Sequence, residues 1–192
     1  MRGEGGLVSK KIIAAAGLLT LSAALLVKAD KRDRPPLRVV ESVDLARYAG
    51  LWYEVARLPN RFEEKCAGDV TAEYTPKGAD RLKVVNRCRR RDGKITEAVG
   101  EARRAGEEGP NSKLKVRFAP GFLSLLPFVW GDYQITELAP DYSYAVVGAP
   151  GRKHLWFPSR TPQMDEATYR RLTEAARSQG FDVSRLIRTK QG

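Results

Sequence analysis

Apolar and polar residues alternate from Trp52 to Arg57, the pattern of a pleated strand with one dry face and one wet face. Gly50 launches this strand, and Pro59-Asn60 stops it. Seven more strand-like runs follow, over residues 69–75, 81–88, 94–103, 113–118, 133–138, 144–148 and 154–159. The separators are turn formers, as in Pro76-Lys77-Gly78-Ala79-Asp80, Arg91-Asp92-Gly93 and Gly109-Pro110-Asn111-Ser112. This spacing predicts an up-and-down antiparallel meander. The period changes only once, after the eighth run. Asp165 and Glu166 suit a helix N-terminus, Tyr169, Leu172, Ala175 and Ala176 make one apolar face, and Gly180 ends it. That helix is expected on the outside of the sheet. Residues 42–48 predict one helical turn that covers the end Trp52 enters, and residues 181–188 are apolar enough to add an edge segment.

Strand count alone does not separate a barrel from a sandwich. Three ordered motifs do. Gly50-x-Trp52-Tyr53-Glu54, followed by Leu58-Pro59-Asn60-x-Phe62-Glu63, resembles the opening signature of the lipocalin family, and within it the bacterial and apolipoprotein D-like branch. Ala139-Pro140-Asp141-Tyr142 is similar to the family's second signature, and the run Leu155 to Pro162, with Arg160, to its third. The resemblance implies an all-β fold: an eight-stranded up-and-down antiparallel β-barrel with one C-terminal α-helix packed outside. It also implies that Trp52 closes the floor under Arg160, a guanidinium on an aromatic face. Gly50, Trp52, Asp141, Tyr142 and Arg160 are then structural.

Ahead of the barrel, Lys10 and Lys11 precede an uncharged apolar run from Ile12 to Val27. A helix of that length spans roughly 24 Å, short of the ~30 Å hydrocarbon core of a bilayer. Residues 1–29 therefore read as a signal peptide or an N-terminal membrane anchor, 30–38 as a charged linker and 39–192 as the lipocalin domain. No cysteine follows the run, which closes the bacterial route of lipidating a cysteine at the cleavage site. The chain is expected to be exported to the periplasm or cell envelope. Its 192 residues carry a formal charge of +11. Residues 1–29 hold four of the cations and one anion, so about +8 belongs to the rest and favours negatively charged partners.

Export supplies an oxidising compartment for the two cysteines. If the turn at Pro76 to Asp80 joins antiparallel strands, Cys66 and Cys88 fall opposite or nearly so, and in matching phase, which predicts a disulfide. With one histidine and no Cys-x-x-Cys pair, no metal site is expected. No phosphate-binding glycine loop or nucleophile elbow is present either. His154 reads as a wall residue. Glu54 shares the phase of Trp52 and is expected to face inward, where it either hydrogen-bonds a ligand or is satisfied by an internal arginine.

These features predict a binding protein without a cofactor and without enzymatic activity. The ligand is a fatty acid, lysophospholipid or similar amphiphile held in an apolar barrel. Tyr74, Val84, Asn86, Val99 and Trp156 are the expected wall, with Glu54 below and Arg87 or Arg89 at the mouth. The loop from Pro120 to Trp130 is apolar. It either folds inward or rests on an anionic membrane, with Phe122, Leu125 or Trp130 in the acyl boundary. Nucleic acid is not expected, because Trp52, Tyr74 and Trp156 face inward, away from bases. Two alternatives remain: an enzyme on the same barrel, which needs a second polar group beside Glu54, and a structural envelope protein with a filled barrel.

Overall fold

The computed structural model describes residues 34–192 except 120, 124 and 125, and leaves the side chains of Phe122 and Pro127 undescribed. The expected leader lies outside the described residues. Leu37–Gly192 forms one compact unit. Leu37, assigned above to the linker, is 5% exposed and packs in the core.

The element order is α1 (Leu45–Tyr48), β1 (Gly50–Arg57), β2 (Cys66–Pro76), β3 (Arg81–Arg90), β4 (Ile95–Arg104), β5 (Lys113–Arg117), β6 (Gly131–Leu138), β7 (Ala145–Gly148), β8 (Leu155–Ser159), α2 (Glu166–Ser178) and β9 (Ile187–Arg188). All ladders are antiparallel. Strands β2 to β8 pair in sequence, and β1 pairs both β8 and β2, so eight strands close into a barrel.

Closure divides the core in two. Inside the barrel pack Val43, Tyr48, Trp52, Tyr74, Leu82, Val84, Ala102, Ile135, Ala145 and Val147. Outside it, α2 lays Leu172 and Ala176 on Val146, Leu155 and Phe157, as the single apolar stripe of the helix requires. Asp165 caps α2 by accepting from the Thr168 amide at 2.9 Å, and Gly180 ends it at φ +85°.

The floor is the most heavily bonded part of the barrel. Gly50 sits at φ +96°, and a Cβ there would lie 3.3 Å from an Arg160 guanidinium nitrogen, so glycine is required on both counts. The Arg160 guanidinium carbon lies 3.9 Å from the Trp52 ring centroid. Its nitrogens donate to the carbonyls of Arg47, Tyr48, Ala49 and Leu51. The Trp52 indole N–H donates to the Tyr48 carbonyl at 2.7 Å, and Asn111 clamps Val43 through both its amide and its carbonyl. Asp141 accepts from the Ser143 amide, holding the turn in which Tyr142 adopts φ +64°.

At the other end β1 and β2 part, and residues 187–192 fill the gap. β9 pairs with Ala56 and Arg57, and the Thr189 amide donates to the Val55 carbonyl. The Asp69 amide donates to the Lys190 carbonyl. The Gln191 side chain donates to the carbonyls of both Glu54 and Val70, one on each strand. The tail expected as an edge segment thus bridges two strands.

Cys66 and Cys88 form the disulfide, with Cα atoms 5.6 Å apart. The ladder places Cys66 opposite Arg90 instead of Cys88, because β2 carries irregularities at Gly68 and before Thr71. The bond therefore closes diagonally. Changing both cysteines to serine should lower the unfolding free energy by about 3 kcal/mol. Guanidinium titration of this variant beside the oxidised protein checks it; coincident curves would show that the staple contributes nothing.

Candidate ligand site

The site is the lumen between the Trp52 floor and the open end, where the β1–β2, β3–β4, β5–β6 and β7–β8 loops gather. Its lower wall is aromatic. Tyr74 is 6% exposed and Val84, opposite it in the ladder, 2%. Tyr48 packs on Trp52 with ring centroids 4.8 Å apart and on Tyr74 at 5.4 Å.

Asn86 lies one inward position above Val84. Its ladder neighbours are Ala72 on β2 and Ala98 on β4, so the polar amide stands among small side chains. The Asn86 Oδ1 is buried and accepts no hydrogen bond among the described residues. A buried amide oxygen without a donor is costly, which marks this rung as a place for a donor from a ligand or water.

Above it a buried polar cluster gathers where β1, the β1–β2 loop, β8 and the C-terminal residues adjoin. The Arg57 guanidinium lies 2.8 Å from Glu54 Oε1 and 3.2 Å from Glu63 Oε2, with all three side chains largely buried. Trp156 donates its indole N–H to Glu63 Oε1 at 2.9 Å, Asn60 donates to the same oxygen, and the Thr189 hydroxyl bonds Glu54. Burial first, and Glu63 next, push the Glu54 carboxyl up to about 8, while Arg57 and Thr189 pull the other way. At neutral pH Glu54 therefore keeps its proton, and Arg57 and Glu63 form the ion pair. The cluster is electrically neutral as a unit.

Arg57 reaches this position through a fault in the strand. The β1–β8 register shifts between Glu54 and Ala56, so Ala56 turns to the outer core and Arg57 inward. Without the shift, Arg57 would lie in the opposite phase to Trp52 and Glu54 and face outward. Glu63 belongs to a motif already quoted, but only the fold shows what it touches.

Three expected wall or mouth residues lie elsewhere. Val99 is 52% exposed; Ala102, 1% exposed, sets the inward phase of β4, so Ala98 and Gly100 share it and Val99 faces out. Arg87 is engaged on the outer wall by Glu73 and Glu97, both at 2.8 Å, and Arg89 by Asp69 at 2.5 Å. These guanidinium groups tie β2, β3 and β4 together on the solvent side. Trp130, expected at a membrane boundary, lies against the barrel exterior with Arg103 4.0 Å and Arg117 5.0 Å from its ring centroid. Phe122 and Leu125 lie outside the side chains described.

The mouth itself combines aromatic and basic residues. His154 stacks on Trp156 with centroids 5.7 Å apart and faces Phe62 at 5.8 Å. Burial, with Lys153 and Arg61 nearby, lowers the His154 imidazole from its ordinary range. Phe62 is 66% exposed and Phe128 80%. The loops here carry Arg61, Lys65, Arg91, Lys94 and Lys153. Among the described residues no group of three His, Cys, Asp or Glu side chains is placed to hold a metal, and no helix is long and apolar enough to cross a membrane.

A closed-floor antiparallel barrel with a small-residue upper wall and one open end defines a calyx, a class of protein built to enclose a small molecule. The family model described as a lipocalin-like domain matches residues 43–191. The chain belongs to the lipocalin family. It is 39% identical over 160 residues to temperature-induced lipocalin-1 of Arabidopsis thaliana, covering 83% of this chain and 85% of that one. It is 35% identical over 173 residues to outer membrane lipoprotein Blc of Escherichia coli strain K12, covering 88% and 93%. Apolipoprotein D of Cavia porcellus is 30% identical over 189 residues, covering 91% and 93%. Among solved structures, insecticyanin from the tobacco hornworm Manduca sexta superposes with a TM-score of 0.64 at 22% identity, over 82% of this chain and 86% of that one.

Proposed function

We propose that this chain binds one amphipathic lipid, a fatty acid or lysophospholipid, inside the barrel and carries or stores it in the cell envelope. The observation that carries the reading is Asn86: an unpaired amide oxygen on an inward rung flanked by Ala72 and Ala98. A hydroxyl or protonated head group supplies the missing donor, while the acyl chain lies against Tyr74 and Val84 below. The basic mouth attracts the anionic head group during entry, a role that passes from Arg87 and Arg89 to Arg61, Lys65, Arg91, Lys94 and Lys153.

An enzyme needs a second polar group beside Glu54, and Glu63 stands there. Its oxygens are engaged by Arg57, Trp156 and Asn60, and Glu54 is bonded to Arg57 and Thr189. Groups committed in this way hold the barrel wall in place, which favours a binder over a catalyst. The exposed Phe62 and Phe128 beside the mouth cations favour contact with an anionic membrane surface as the place of loading.

Native mass spectrometry with lipid extraction, on protein purified from envelope fractions, tests the proposal. A co-purifying acyl lipid at about one per chain is the expected result. A chain that stays apo when challenged with fatty acids and lysophospholipids overturns it. Asn86→Ala and Trp156→Ala should each weaken lipid uptake by about five- to tenfold while leaving the barrel folded. Unchanged affinity in both would remove these residues from the site.

A further inference from the structure

Three tyrosine hydroxyls meet on the floor of the barrel. Tyr133 Oη lies 2.8 Å from Tyr48 Oη and 2.8 Å from Tyr74 Oη, joining α1, β2 and β6 across separations of 85 and 59 residues. Burial raises all three phenols, Tyr74 to about 12, so each keeps its proton at neutral pH. Three hydroxyls supply three donors, and the two bonds between them use two. However those bonds run, one O–H is left over.

No other group among the described residues bonds to these oxygens, so the remaining donor is open to a ligand or water. Tyr48 is fully buried and Tyr74 6% exposed, whereas Tyr133 is half-buried. Tyr133 faces Leu114 in the ladder and packs against the inner core, so its open surface faces the lumen. The arrangement that leaves the third donor reachable has Tyr133 accepting from both neighbours and turning its own proton upward.

We infer that the Tyr133 hydroxyl is a hydrogen-bond donor subsite at the base of the barrel, for a lipid whose deep end carries a neutral hydroxyl or carbonyl oxygen. The inference rests on the lipid-carrier reading above and adds a second polar requirement at the opposite end of the ligand from the mouth. A neutral acceptor fits, because one uncharged donor stands there. Arg160, the cation stacked on Trp52, has its guanidinium committed to five backbone carbonyls, those of Arg47, Tyr48, Ala49, Leu51 and Tyr142. A carboxylate at this depth would lack a counter-charge.

The test compares palmitic acid and 16-hydroxypalmitic acid, with lauric acid and its ω-hydroxy form as a shorter pair, on the wild-type chain, Tyr133→Phe and Tyr74→Phe. Tyr133→Phe should weaken the hydroxylated acid of at least one pair about five- to tenfold and its parent acid less than twofold. Tyr74→Phe removes a hydroxyl from the wall but leaves Tyr133 with a donor, so it should change the affinities for the two acids of a pair by the same factor. Loss of affinity for parent and hydroxylated acids alike in Tyr133→Phe, or the same selective loss in Tyr74→Phe, overturns the inference by reducing the triad to a packing feature. Failure of the wild-type chain to bind either parent acid overturns the carrier reading for such acids and this inference with it. Binding without discrimination overturns the inference alone.

Discussion

Replacing Arg57 with methionine is expected to lower the unfolding free energy by about 3 kcal/mol at pH 7. The substitution keeps an unbranched apolar stem and removes the cation that, among the described residues, pairs with both Glu54 and Glu63 in their buried cluster. Glu54, already protonated, suffers little. Glu63 is left as a buried carboxylate with only the neutral donors of Asn60 and Trp156. Urea titration of the variant beside the wild-type chain checks this; a deficit under 1 kcal/mol would mean that the cluster does not depend on its cation.

The wild-type protein should show a pH dependence of its own from Glu54. The Glu54 carboxyl is raised from about 4.5 in the unfolded chain to about 8 in the fold, chiefly by burial. Between those values the folded state holds a proton that the unfolded state releases. Its contribution to stability is complete below about 4.5 and is lost as pH rises through about 8. In Glu54→Gln that decline should flatten.

Trp52→Ala should cost about 4 kcal/mol, the second large effect. The indole is fully buried, and its removal deprives the Tyr48 carbonyl of a donor, the Arg160 guanidinium of its aromatic face and Tyr48 of a ring neighbour. Trp52→Phe keeps a ring and loses only the N–H and some volume, so it should cost about 1–2 kcal/mol. Denaturant unfolding of the two variants gives the comparison. A cost under 1 kcal/mol for the alanine variant would mean that α1 and Arg160 close the floor without it.

Much of this architecture is local and was therefore legible. Turn residues marked the strand ends, period-two runs marked the strands, and one period change marked α2. The motif around Gly50 and Trp52, with the distant Arg160, locates the floor in the sequence alone. The misplaced residues have three physical causes. A β-bulge is a one-residue event without a strong sequence signal, and the one in β1 reversed the phase of Arg57. Val99 shows the second cause. Assigning the bulkiest apolar residue of a strand to the inside works for a packed core. The inward positions are held instead by the small residues Ala72, Ala98 and Gly100, the last of them covered by the Phe118 ring, and the valine turns outward. Arg87 and Arg89 were misjudged because their acidic partners lie on other strands.

The closure of the barrel has unequal halves. Near the floor, β1 and β2 are joined directly through Gly50, Leu51, Trp52 and Tyr53. Near the mouth the same two strands are joined, among the described residues, through residues 187–192, which lie between them like the slide of a zip. Lifting those residues away parts the seam at the rim and leaves the base stitched. The girth of the opening is thus set by a short segment that contributes nothing to the floor, and the two ends of the cylinder can loosen independently.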